Sequence, residues 1–274
     1  MKFPFRMIGL TGRFGSGKTL ALLDFMLMAQ EMGAKKEGLL YLDTEGSAEP
    51  YLYNEPYSGL KMTYVDATEP GVTSSWIRAL GGEILEKPPA ELQPHYDVIA
   101  IDTVDIGQEE ISDLVWEDPG ISDNMKEKSG PLVWGRVKKK IYKPFLIMKS
   151  RRTDVLLVAA HTRGEFVAGK ATGRKEGKFM EPLWKLADVI GFLERRPNTR
   201  LPDVVFDPPR GKSRILGLPP KISDFSWKKF LEYIGKPPAD WKSLKKEEMV
   251  QEAQGVLELM AKIASTKEEE GETE

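Results

Sequence analysis

The 274-residue chain contains no cysteine and only two histidines, His95 and His161. Disulfides, thiolate metal sites and cysteine nucleophiles are excluded together, and so is a multi-histidine metal centre. No apolar run approaches the roughly 20 residues that cross a bilayer as a helix. The N-terminal stretch MKFPFRMIGLTG has neither a long apolar core nor a small-residue cleavage site, so no secretory signal is expected. These absences point to a soluble chain in a reducing cytoplasm, without a membrane partner. Net charge is also small, at −2, but it is unevenly spread. Residues 245–274 carry nine acids against four lysines, a net of −5, which leaves +3 on the rest. A mildly basic body with an acidic tail is compatible with nucleic-acid binding without requiring it.

What is present suits a globular protein: 41% of residues are hydrophobic and 30% charged, in a chain long enough for a full-sized core. Apolar runs at 5–12, 38–45, 61–67, 96–102 and 154–162 read as strands. A helix over 18–33 ends at Gly33, and another runs through Trp76, Ile77, Leu80 and Ile84 until Pro88 and Pro89. Strands separated by helices, with no tight hairpins between them, predict an α/β fold with a mostly parallel central sheet. Residues 118–135 and 164–181 read as long glycine-containing loops, of the kind that carry function or move. Shorter strands and turns follow over 191–218, and then two helical patterns, around Trp227, Phe230, Leu231 and Ile234 and around Met249 to Met260. The expected organisation is a core over 1–222, a small C-terminal helical extension over 223–264 and an acidic disordered tail over 265–274.

Three stretches carry chemistry. GRFGSGKT (Gly12, Arg13, Phe14, Gly15, Ser16, Gly17, Lys18, Thr19) fits G-x-x-x-x-G-K-[ST], and it follows a strand and opens a helix, as its mechanism requires. Backbone N–H groups of such a loop cradle the phosphates of ATP, Lys18 reaches the β- and γ-phosphates, and the Thr19 hydroxyl ligates Mg²⁺. VIAID (98–102) is an apolar strand ending in Asp102, placed to hold the Mg²⁺ shell at the carboxyl edge of the sheet. YLDTEGSAEP (41–50) ends the second strand with two acids, and Glu45 is a candidate base for the attacking water. The plainer role for Asp43 and Glu45 is to solvate the strand's exit or cap a helix.

YLDTEGSAEP resembles the Y-I-D-T-E-G stretch of the RadA and eukaryotic recombinase branch of the RecA-like ATPases, in which the glutamate matching Glu45 is the catalytic base. The order of motifs over roughly residues 5–215 is similar too, and the short plan most resembles the phage-type RecA-like single-strand annealing ATPases, the Sak group. The resemblance implies a RecA-like P-loop core and a DNA-dependent ATPase that binds single-stranded DNA and promotes annealing or strand exchange. A homo-oligomer and a single-strand DNA-binding protein as partner are implied with it. His161 stands where the family has a polar sensor, often glutamine. Lys212 and Arg214, in PRGKSR, resemble a finger that reaches the neighbouring subunit's nucleotide. Lys170, Arg174, Lys175 and Lys178 lie where such proteins place a DNA-contacting loop, and bases there would neutralise phosphates. Arg136 to Lys140 form a second basic run. Two other readings stay open: a ring helicase or helicase loader of the same fold, and a nucleotide-gated DNA-binding protein with negligible turnover.

Overall fold

The five apolar runs become parallel strands, and a sixth parallel strand forms over Val189–Glu194. The computed structural model describes residues 5–121, 130–167, 170–177, 181–195, 199, 201–206 and 218–234. The strands are β1 (Met7–Gly12), β2 (Leu39–Asp43), β3 (Thr63–Asp66), β4 (Tyr96–Asp102), β5 (Thr153–Val167) and β7 (Val189–Glu194). Two short antiparallel strands, β8 (Asp203–Phe206) and β9 (Lys221–Ile222), complete one edge, giving the order β3-β2-β4-β5-β1-β7-β8-β9. A further strand, β6 (Lys170–Gly177), pairs antiparallel with the far end of β5. The fold is therefore the expected α/β class with a mostly parallel sheet.

The central strands are apolar throughout because helices cover both faces. Alternate residues Leu40, Leu42, Ile99, Ile101, Leu156, Val158 and Ala160 share one core cluster with helices α3 (Val72–Leu80), α4 (Val104–Trp116) and α5 (Gly130–Ile147). On the other side α1 (Lys18–Glu31) packs on β1, β4 and β5. Its buried residues Leu22, Leu23, Phe25 and Met26 span more than one face, because a later helix, α7 (Trp227–Tyr233), covers it from behind. Trp227 stacks edge-on against Phe25 at 4.8 Å, and its indole Nε1–H donates to the Ala21 carbonyl at 2.6 Å. Phe230 reaches Phe5 at the start of the sheet.

Three expectations change. The helix through Trp76 stops at Leu80, where Gly81 and the left-handed Gly82 end it, and Ile84 lies fully outside on the following loop. The stretch expected as a loop over 164–181 holds a β-hairpin, in which β5 runs on past His161 and pairs Arg163 with Glu176 and Val167 with Lys170. A glycine-containing loop is the expectation there, yet pairing with an already anchored strand satisfies its backbone N–H and C=O groups. Finally, α5 begins at Gly130, inside the stretch expected as a loop over 118–135.

Register then places the chemistry. Gly12 lies opposite His161, and Asp43 lies opposite Asp102, so the ends of β1, β5, β2 and β4 meet along one carboxyl edge. β5 separates the P-loop strand from the strand that ends in Asp102. Ligands of open α/β sheets bind outside such an edge.

Candidate active site

The loop between β1 and α1 turns tightly enough that glycine is required at three of its positions, Gly15 among them with φ +73°. A Cβ on Gly12 would strike the Ser16 hydroxyl and approach the Leu193 carbonyl to 2.9 Å, and Gly17 has φ +94°. The first N–H groups of α1 have no carbonyl within the helix, so they face the loop's concavity as donors, with the positive helix end behind them. Lys18 is buried, and its ammonium donates to the carbonyls of Gly12 (3.4 Å) and Arg13 (3.3 Å). Burial lowers its pKa, while Asp102, Glu45 and Asp105 pull it back up. Phe14 stands almost fully exposed at the loop's tip. Clefts of about 370 and 470 Å³ flank the loop, the first between Arg13, Phe14, Thr162 and Arg195, the second between Gly17, Tyr51, Tyr57 and Pro202. Both fall in the size range of small-molecule sites.

Thr19 and Asp102 meet as the motifs require: the Thr19 hydroxyl donates to Asp102 Oδ2 at 2.6 Å. The same oxygen accepts from Tyr41 OH at 3.1 Å and Ser47 Oγ at 3.3 Å. Asp102 is fully buried, and that burial raises its pKa, against the opposing pull of Thr19 and Tyr41. Its other oxygen, Oδ1, has no hydrogen-bond partner among the described residues. Among the described residues two other buried side-chain atoms share that condition, Ser16 Oγ in the loop and Thr103 Oγ1, next to Asp102 in the chain. Orphaned buried polar atoms are rare and call for a reason; here they fall in the loop and at the end of the strand whose Asp102 accepts from Thr19. A carboxylate oxygen without a donor beside a threonine hydroxyl fits Mg²⁺, which takes one or two protein oxygens and leaves the rest to phosphate and water. Among the described residues no cluster of three acids or histidines could hold a metal.

The two acids of YLDTEG divide their roles. Asp43 is wholly buried and accepts from the backbone N–H groups of Glu45 (3.3 Å), Ser47 (3.1 Å) and Ala48 (2.8 Å) and from Tyr64 OH (2.9 Å). It holds the turn, which reverses at Gly46 with φ +66°. Glu45 projects from that turn with its side chain 24% exposed, and its Oε1 lies 3.2 Å from His161 Nε2. Burial raises its pKa, and Asp102 and Asp105 add to the rise, while His161 and Lys18 oppose it. The other ring nitrogen, Nδ1, lies 3.0 Å from Asp105 Oδ2. Sequence reasoning missed Asp105, Ser47 and Tyr41. Asp105 sits in the first turn of a helix, where an acid ordinarily needs no reason beyond the helix dipole.

The remaining expected residues separate. Lys170, Arg174 and Lys175 lie on β6, in the hairpin that begins one residue after His161. Lys178, Lys212 and Arg214 lie outside the described residues. Arg136, Lys138, Lys139 and Lys140 are exposed on α5. Among the described residues no helix is long and apolar enough to cross a membrane.

No family model matches the chain, and no curated protein matches it. Among solved structures it is similar to that of the RadB recombinase, with 16% identity, a TM-score of 0.43, and coverage of 73% of this chain and 80% of that one.

Proposed function

We propose that the chain is an ATP hydrolase with a RecA-like core, driven by single-stranded DNA and of the phage recombination type that promotes annealing or strand exchange. The observation that carries the ATPase reading is the set of buried polar atoms without partners, Ser16 Oγ in the loop and Asp102 Oδ1 and Thr103 Oγ1 at the end of the strand whose acid accepts from Thr19. The loop N–H groups and Lys18 hold the phosphates, and Lys18 exchanges its two carbonyl contacts for phosphate oxygens. Thr19 and Asp102 would hold Mg²⁺, which when bound neutralises charge on the terminal phosphates. Glu45 orients a water and takes its proton as the water attacks the γ-phosphorus. A pKa raised by burial brings that carboxylate nearer to the strength of base the step needs.

The DNA part of the reading rests on continuity. His161, which touches Glu45, belongs to the strand that runs directly into the hairpin carrying Lys170, Arg174 and Lys175. With Lys178, these bases would track the phosphates of a single strand. Lys212 and Arg214 would serve a neighbouring subunit's nucleotide in a homo-oligomer, and a single-strand DNA-binding protein would deliver the substrate in the cytoplasm. The core over 1–222, the helical extension over 223–264 and the acidic tail over 265–274 complete the proposed organisation.

The deciding experiment is ATP turnover with and without single-stranded DNA, for the parent protein and for Lys18→Ala. Turnover that rises with DNA and vanishes in the variant is expected. Undiminished hydrolysis by a folded Lys18→Ala protein would remove the assignment.

A further inference from the structure

His161 is held from two sides, and the second side has no place in the ATPase scheme. Asp105 accepts from the ring at Nδ1 (3.0 Å) and from the backbone N–H of the same residue (3.4 Å). Its side chain is only 5% exposed. An acid serving the dipole of α4 would stay at the surface near the helix start. Asp105 instead turns inward to meet a residue 56 positions away in sequence.

Proton counting gives this contact a consequence. An ionised carboxylate only accepts, so the hydrogen in the Asp105 contact belongs to Nδ1 of the ring. A neutral ring so arranged presents a bare lone pair at Nε2, and Nε2 faces Glu45 Oε1 at 3.2 Å. Two acceptors at that distance would repel, so one proton must lie between Nε2 and Oε1. The charged groups acting on Glu45 come from four elements: His161 on β5, Asp102 on β4, Lys18 on α1 and Asp105 on α4, with Asp43 of β2 accepting from its backbone N–H.

Accepting the reading of Glu45 as the base, we propose that Asp105 is a positioning residue. It fixes the tautomer and direction of His161, so that Nε2 holds Glu45 through one shared proton until nucleotide and water compete for the carboxylate. The proton balance closes within the pair. When Glu45 turns to the water, the shared proton stays on Nε2, leaving an imidazolium against Asp105 and an ionised Glu45 ready to accept.

The chain's two histidines make the test direct, because a His95→Gln protein leaves His161 alone in a ring-nitrogen NMR spectrum. Nδ1 is expected to carry a proton in that parent. In Asp105→Ala the neutral ring's proton should move to Nε2, and Asp105→Asn should alter the Nδ1 signal. A parent ring with bare Nδ1, or ring signals unchanged by both variants, overturns the proposal. If Asp105→Ala does not fold, Asp105→Asn and the parent spectrum still decide.

Kinetics supply a second arm. Asp105→Asn should lower kcat about 10-fold or more, the scale seen when a histidine loses its orienting partner, with KM for ATP within about twofold. In a His161→Gln background the same substitution should cost little, since its effect runs through the ring. An equal loss with and without His161 would make Asp105 a structural residue of α4 and overturn the proposal. A parent protein without ATP turnover would refute the ATPase reading instead, and the ring-nitrogen result would then decide the positioning claim alone.

Discussion

Replacing Asp43 by asparagine should damage the fold more than the chemistry, and replacing Glu45 by glutamine should do the reverse. The Asp43 carboxylate is wholly buried and accepts four hydrogen bonds, two on each oxygen. Asparagine keeps one oxygen and turns the other into a donor. Its better orientation keeps the oxygen toward the N–H groups of Glu45 and Ser47 and points the amide NH₂ at Ala48 N and Tyr64 OH. The tyrosine hydroxyl can rotate and accept, but the Ala48 N–H cannot, so one buried donor is left facing another. The loss of one hydrogen bond to a charged group together with an unsatisfied N–H comes to about 2–4 kcal/mol. For a domain of this size that corresponds to a drop in Tm of roughly 5–15 °C. Glu45→Gln leaves the turn intact, so its Tm should barely move while ATP turnover falls by about 10²–10⁴-fold. Thermal denaturation and a single-turnover ATP assay on the two variants check both halves. An Asp43→Asn protein with the parent's Tm and no turnover, beside an active Glu45→Gln protein, would show that the roles have been assigned to the wrong acids.

Two other predictions concern pH and salt. Because burial raises the pKa of Glu45 and a base works only when ionised, turnover should fall with decreasing pH along a limb above the ordinary carboxylate range, near 4.3. The residual turnover of Glu45→Gln should lack that limb. The same raised pKa means that the folded state holds this proton more tightly than the unfolded chain. This contribution to stability is therefore full below the unfolded value and is lost as pH rises through the folded one. Replacing Lys170, Arg174, Lys175 and Lys178 together by alanine should flatten the salt dependence of single-stranded DNA binding by about two to three units of log–log slope, at roughly 0.7 per lost phosphate contact. An unchanged slope would move the DNA path away from the hairpin, with the run from Arg136 to Lys140 as the next candidate.

The parts of the site that were legible in sequence are those whose chemistry is local in the chain. The P-loop is one continuous stretch, and Asp102 and Glu45 each end an apolar run, so a parallel sheet brings their strand ends to one edge. The register confirms this by setting Asp43 beside Asp102 and Gly12 beside His161. Asp105 was not legible, because its partner lies on another strand and an acid in a helix's first turn looks ordinary. Glycine misled at the hairpin. The stretch holding Gly164 and Gly177 reads as a glycine-containing loop, although a strand already anchored by two neighbours can carry such residues outward and pair them. Ile84 misled in the opposite sense: its spacing continued the apolar stripe of α3, but Gly81 and Gly82 had already ended the helix.

β5 behaves mechanically as a beam gripped along only part of its length. Its 15 residues extend about 50 Å at the usual rise per residue. From Thr153 to His161 the beam is clamped, first by β4 and then by β1. Beyond His161 its one strand partner among the described residues is β6, and the pairing register slips between Gly164 and Phe166. A load applied to the hairpin, such as a strand of nucleic acid drawn across it, therefore concentrates its bending moment at the last clamped residue. That residue is His161, the one whose ring touches Glu45.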